Sequence, residues 1–151
     1  MKHFILPLII SMAAITQPAL AQKFEAEQTV EKQVITTDEN GNTVESYEEA
    51  IAVAPGDIVR YSLDYKNNLA QPADGVEFVI PVPAQTIFVA GSATEIGAAT
   101  TSYSMDGAES FTADNNVSND QPDAITHVKW TFTQAVAPTE AGKLSFLAQL
   151  Q

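Results

Sequence analysis

The sequence predicts an all-β chain, a sandwich or a barrel. Three observations carry that expectation. Apolar side chains alternate with polar ones along several short runs, the period of a strand with one face buried and one wet. Turn clusters punctuate these runs at regular spacing: Asn40-Gly41, Pro55-Gly56-Asp57, Asn67-Asn68, Asp106-Gly107 and Ala137-Pro138. No amphipathic helical stretch of useful length competes with them, so alternating βαβ units are not expected.

Residues 1–21 read as a secretory signal peptide. Lys2 and His3 form a basic start, an apolar run follows over 4–15, and Ala19-Leu20-Ala21 is a small-residue cleavage site. The apolar run falls short of the roughly 20 residues that a membrane span needs. The fold is therefore expected within 22–151, a length that fits one domain.

Residues 24–37 fit two patterns. Ala26, Val30 and Val34 have helical spacing, while Val30, Lys32, Val34 and Thr36 share one side of a strand. Strand is favoured because Asp38-Glu39-Asn40-Gly41-Asn42 follows, and Asn-Gly between two strands signals a hairpin, since both residues tolerate positive φ. The return strand is expected over 43–53. Glu45 and Glu49 share the parity of Tyr47, Ile51 and Val53, which suits an edge strand that is only partly covered.

The clearest alternation lies in residues 53–92. Val59, Tyr61, Leu63 and Tyr65 share one parity, and Arg60, Ser62, Asp64 and Lys66 the other. Val76, Phe78, Ile80 and Val82 repeat the pattern before Pro81 and Pro83 close it. Residues 94–101 read as a loop. Residues 103–112 read as a second hairpin turning at Asp106-Gly107. Residues 114–123 are polar and read as a loop. Over 125–133, Val128, Trp130 and Phe132 are expected inward, with His127, Lys129, Thr131 and Thr133 outward. Leu144, Phe146, Ala148 and Leu150 alternate in a last strand. Trp130, Phe132, Tyr61, Leu63, Phe78, Ile80, Leu144 and Phe146 are expected to form one core.

The 50–92 stretch also carries a resemblance. Pro55-Gly56-Asp57, a tyrosine-bearing strand, Asn67-Asn68, a short apolar strand, Pro81-Val82-Pro83 and Val89-Ala90-Gly91-Ser92 follow one another in that order. Tyr103-Ser104-Met105-Asp106-Gly107, His127-Val128-Lys129-Trp130, Ala137-Pro138 and Gly142-Lys143-Leu144-Ser145-Phe146 continue it. This pattern resembles the bacterial surface conserved-repeat domain, domain-of-unknown-function family eleven, and is strongest over 50–150. The resemblance implies an immunoglobulin-like antiparallel β-sandwich of about seven to nine strands. It also implies a place on a cell surface. The family is usually strung in tandem, whereas one copy is seen here.

Composition bounds the chemistry. The chain has 19 Asp plus Glu against 7 Lys plus Arg, a formal net charge of −12. That disfavours nucleic acid and anionic membranes as partners, since both require basic patches. Cysteine is absent, which removes thiol and disulfide chemistry. Beyond the leader, His127 is the single histidine and Arg60 the single arginine. A histidine-based triad would have to use His127, which is expected on an outward strand face with no nucleophile or orienting acid marked beside it. No catalytic residue and no cofactor is therefore expected.

The polar loop gathers oxygen ligands at Asp114, Asn116, Asp120 and Asp123, so it is the one candidate calcium site. Its spacing departs from the EF-hand pattern and no glycine stands at the bend, so an ordinary solvated turn accounts for it. The expectation is a non-catalytic exported module, periplasmic, outer-surface or extracellular. Its partner would be a protein or envelope surface component, with no stable membrane insertion after leader cleavage. A small-ligand, glycan or calcium-binding module is the alternative, and an exported hydrolase a more distant one.

Overall fold

A computed structural model describes residues 24–113 and 119–151. The leader, and with it the expected cleavage after Ala21, lies outside the described residues. So do Asp114 and Asn116 of the candidate calcium loop.

The described chain is all-β, with two antiparallel sheets enclosing one core. The strands are β1 (Phe24–Thr37), β2 (Thr43–Glu49), β3 (Ile58–Asn67), β4 (Glu77–Pro81), β5 (Thr86–Phe88), β6 (Ala99–Ser104), β7 (His127–Phe132) and β8 (Ala141–Leu150). The larger sheet has the order β2-β1-β3-β8-β5, and the smaller one β4-β7-β6. A 3-10 turn, Pro122–Ala124, leads into β7.

The core forms where the apolar parities of the two sheets meet. Val59, Leu144, Phe146 and Ala148 face in from the larger sheet, and Ile80, Val128, Trp130 and Phe132 from the smaller. Two aromatic groups knit the layers together. Tyr65 stacks with Phe24, lies tilted against Phe78 and meets Phe132 edge-on, at centroid distances of 6.5, 5.5 and 5.3 Å. Phe88 joins Phe146 to Tyr103 at 5.7 and 5.6 Å. Such offset and edge-on contacts favour the ring quadrupoles as well as burying area.

Several boundaries differ from the sequence expectation. The return strand of the first hairpin ends at Glu49, not at Val53. Both β2 and β3 lie beside β1, so residues 50–57 must leave the sheet and cross β1 to begin β3. Lys32 Nζ meets Asp57 Oδ2 at 2.7 Å under that crossing. The hairpin turn has positive φ only at Gly41, not at Asn40. Its loop spans three residues, closed by the Asp38 N–H to Asn42 O bond of 2.9 Å, and Asp38 Oδ1 accepts from the N–H groups of Asn40 and Asn42. That is a type I turn followed by a left-handed glycine.

Residues 94–101, expected as loop, already enter β6 at Ala99. The expected 103–112 hairpin keeps one bridge, Tyr103 to Thr112. Its return limb is spent on the turn, where Asp106 accepts from Ser104 Oγ and from the Ser110 N–H and hydroxyl. These bonds hold the Asp106 carboxyl well below the usual carboxylate range, the Ser110 side-chain bond contributing most. β4 and β7 are one to two residues shorter than expected at their ends, whereas β3 runs from Ile58 to Asn67 and β8 begins already at Ala141.

Of the expected core, Trp130, Phe132, Ile80, Leu144 and Phe146 are buried, while Tyr61, Leu63 and Phe78 are half-buried against them. Three strands in the smaller sheet cannot cover all five in the larger, so the β1 flank of the core is thinly roofed. Ser62, expected outward, is fully buried. It lies mid-sheet on the outer face of β3, level with Thr29 and Ser145. Among the described residues its hydroxyl has no hydrogen-bond partner. A buried unsatisfied hydroxyl costs about 1–3 kcal/mol. Ser62→Ala should therefore raise stability, by about 1 kcal/mol after the small loss of volume. Urea unfolding measures this, and a variant less stable than the parent would show that the hydroxyl has a partner.

Candidate functional site

The first hairpin is where the larger sheet outruns its neighbours. β1 pairs with β3 from Phe24↔Asn67 to Lys32↔Val59. It pairs with β2 from Glu31↔Glu49 to Thr37↔Thr43. Residues 33–37 of β1 thus have β2 alone as a strand neighbour, and the ribbon with its turn projects from the sheet by roughly 16 Å at the usual rise per residue. Both faces of this ribbon meet solvent. Ile35 is 64% and Val44 42% exposed, and on the adjoining crossover Ile51 is 84% and Val53 42% exposed. Ile35 and Val44 lie on opposite faces near the tip, and Ile51 and Val53 follow the other end of β2, so the ribbon and its crossover expose aliphatic side chains on both sides.

The base of the ribbon is fastened from β3. Arg60 reaches across β1, where its Nε and Nη2 donate to Glu31 Oε2 at 2.9 and 2.7 Å. Its guanidinium also lies 3.5 Å from the centre of the Tyr47 ring on β2, a cation–π contact. The Tyr47 hydroxyl donates to Glu45. Burial first, then the bond to Glu45, raises the Tyr47 hydroxyl above its ordinary range. The same bond lowers the Glu45 carboxyl. The only arginine of the chain is thus spent on holding the arm to the sheet.

The backbone of β2 is open along its far side. Ala50 N–H donates to Val30 O, and Asp38 N–H to Asn42 O, which fixes the even-numbered residues of β2 as those bonded to β1. The N–H and C=O groups of Thr43, Glu45 and Tyr47 therefore point away from the sheet. Glu45 and Glu49, whose shared parity suits a partly covered strand, do sit on an edge strand. The length by which β1 exceeds its partners, which makes the edge project, is not visible without the register.

The residues singled out from sequence lie elsewhere. His127 is half-buried on the outer face of the smaller sheet, its Nδ1 3.1 Å from Thr126 Oγ1. Asp120 and Asp123 are exposed, before and within the 3-10 turn. Among the described residues no three His, Cys, Asp or Glu side chains converge as they would around a metal ion. On the outer face of the larger sheet, Glu25, Glu27, Asp64, Lys66 and Lys143 line an open hollow of about 490 Å³. Asp64 and Lys143 pair across it at 3.2 Å, both about half exposed.

Comparison with protein-family models, curated proteins and solved structures returned no match. Among the described residues no helix is long and apolar enough to cross a membrane.

Proposed function

We propose that this chain is a non-catalytic, exported β-sandwich module of immunoglobulin-like type that works through its surface. Its role is that of a structural or adhesion component of the cell envelope. The projecting β1–β2 ribbon carries the reading: an arm that stands clear of the core, with exposed aliphatics and an open edge, has contact as its chemistry. The leader-like 1–21 segment and the surface-domain resemblance of residues 50–150 support the location. The acid excess supports a protein partner over nucleic acid or anionic lipid.

Fractionation of the producing cell with N-terminal sequencing tests the first half. A mature chain beginning at Gln22 outside the cytoplasm is expected, and retention of Met1 would refute export. A photo-crosslinking residue placed at Ile35 or Val44 tests the second. Discrete adducts with an envelope component are expected from these positions and not from Thr100 on the smaller sheet. Absence of adducts, together with turnover of a glycoside or ester by the purified protein, would replace this reading with an enzymatic one.

A further inference from the structure

We infer that β2 is the docking edge for an extended, cationic segment of another protein, which adds to the larger sheet as a sixth strand beside Thr43–Glu49. The inference rests on the surface-module reading and makes it specific.

Sheet edges are aggregation hazards, and proteins blunt them with shortness, proline or a covering segment. The other edges here are blunted in these ways. β5 is three residues long. β4 ends in Pro81, with Pro83 two residues on. β6 is overlaid by the returning chain through the Tyr103 to Thr112 bridge. β2 has seven residues, no proline, and an uninterrupted register with β1. Its outward N–H and C=O groups at Thr43, Glu45 and Tyr47 form a ladder that only another strand can complete.

Charge selects the occupant. β2 carries Glu45, Glu48 and Glu49 and no cation. The nearest cations are already engaged, Arg60 with Glu31 and Lys32 with Asp57. Pairing β2 with a second copy of itself would set three carboxylates against three, which opposes self-association. A strand bearing Lys or Arg opposite Glu45 and Glu49, on the outer face, would neutralise them. The same strand would place its alternate, apolar residues level with Val44 on the inner face, where the row of Val30 and Val34 continues the core side of the sheet.

The probe is a seven-residue peptide alternating lysine and valine, with its glutamate–valine counterpart as control, titrated into the full chain at low salt. Binding of the lysine peptide is expected, with slowed amide exchange at Thr43, Glu45 and Tyr47, and the control peptide should not bind. Glu45→Pro removes one outward N–H and leaves the β1 ladder intact, so it should weaken binding by about tenfold or more. Glu45→Lys with Glu49→Lys keeps the backbone and should exchange the preference to the glutamate peptide, which guards against a proline variant that misfolds. Binding undiminished in both variants, protection that maps elsewhere, or a wild-type dimer sealed through β2 would each overturn the inference. No peptide binding while the Ile35 adducts persist in cells sinks strand addition and leaves the surface module standing; loss of both sinks both.

Discussion

Trp130→Ala is expected to remove about 3–5 kcal/mol of stability. Trp130 is fully buried at the centre of the smaller sheet, opposite Phe78 on β4 and Thr101 on β6. Its loss opens a cavity that the surrounding rings can only partly fill. It also breaks a tie between the sheets. The indole N–H donates to Thr94 O at 2.9 Å, and Thr94 is itself bound to β8, its N–H donating to Ser145 O at 2.7 Å and its Oγ1 accepting from Ser145 N–H at 2.9 Å. Whole-domain stabilities are about 5–15 kcal/mol, so the loss is a large fraction of the total. Denaturant unfolding with an unchanged m-value measures it. Trp130→Phe keeps most of the ring and loses the N–H, so a smaller cost of about 1–3 kcal/mol is expected. A cost below about 1 kcal/mol for the alanine variant would contradict the core assignment.

Gly142→Ala should be the most damaging single-methyl addition to the strands, at about 1–3 kcal/mol or more. Gly142 is the cross-strand partner of Tyr65. A Cβ there would lie 2.5 Å from the Tyr65 hydroxyl oxygen, 2.6 Å from Cζ and 2.8 Å from Cε1. The ring cannot swing aside cheaply, because Phe24, Phe78 and Phe132 hold it on its other sides. A strand glycine is weak in itself, and here a neighbouring aromatic shields its backbone. In a Tyr65→Ala background the added methyl should cost little, so the two changes should couple strongly in a double-mutant cycle. Additive effects would show that the tyrosine does not cover the glycine.

The strands that repeat with period two were legible in advance because one face of each meets the core: β3 by Val59 and Tyr65, β7 by Val128 and Trp130, β8 by Leu144 and Phe146. The hairpin after Thr37 was legible from Asn40-Gly41, although the turn uses only the glycine's conformational freedom. Ser62 departs from its outward parity because a small residue in the middle of a five-stranded sheet can be covered by its taller neighbours even on the outer face. The crossing at 50–57 was invisible because its cause is strand order, not local chemistry. The open β2 edge was half legible. Glutamates on both parities of 43–49 announce a strand that no layer covers, but how far it projects depends on register against β1.

The place of β8 in the larger sheet has a consequence for the order of events as the chain matures. It is the last strand in sequence, yet it joins β3 to β5, with partners such as Ile58 and Gln149 far apart along the chain. Leu144, Phe146 and Ala148 on it are fully buried. The β1–β2 ribbon can form early from local contacts, but the larger sheet stays in two parts until residues 141–150 are available. Distant pairings of this kind make for slow folding. A chain that cannot close its core until residues 141–150 pair stays open in the meantime, its apolar strand faces exposed until that late arrival.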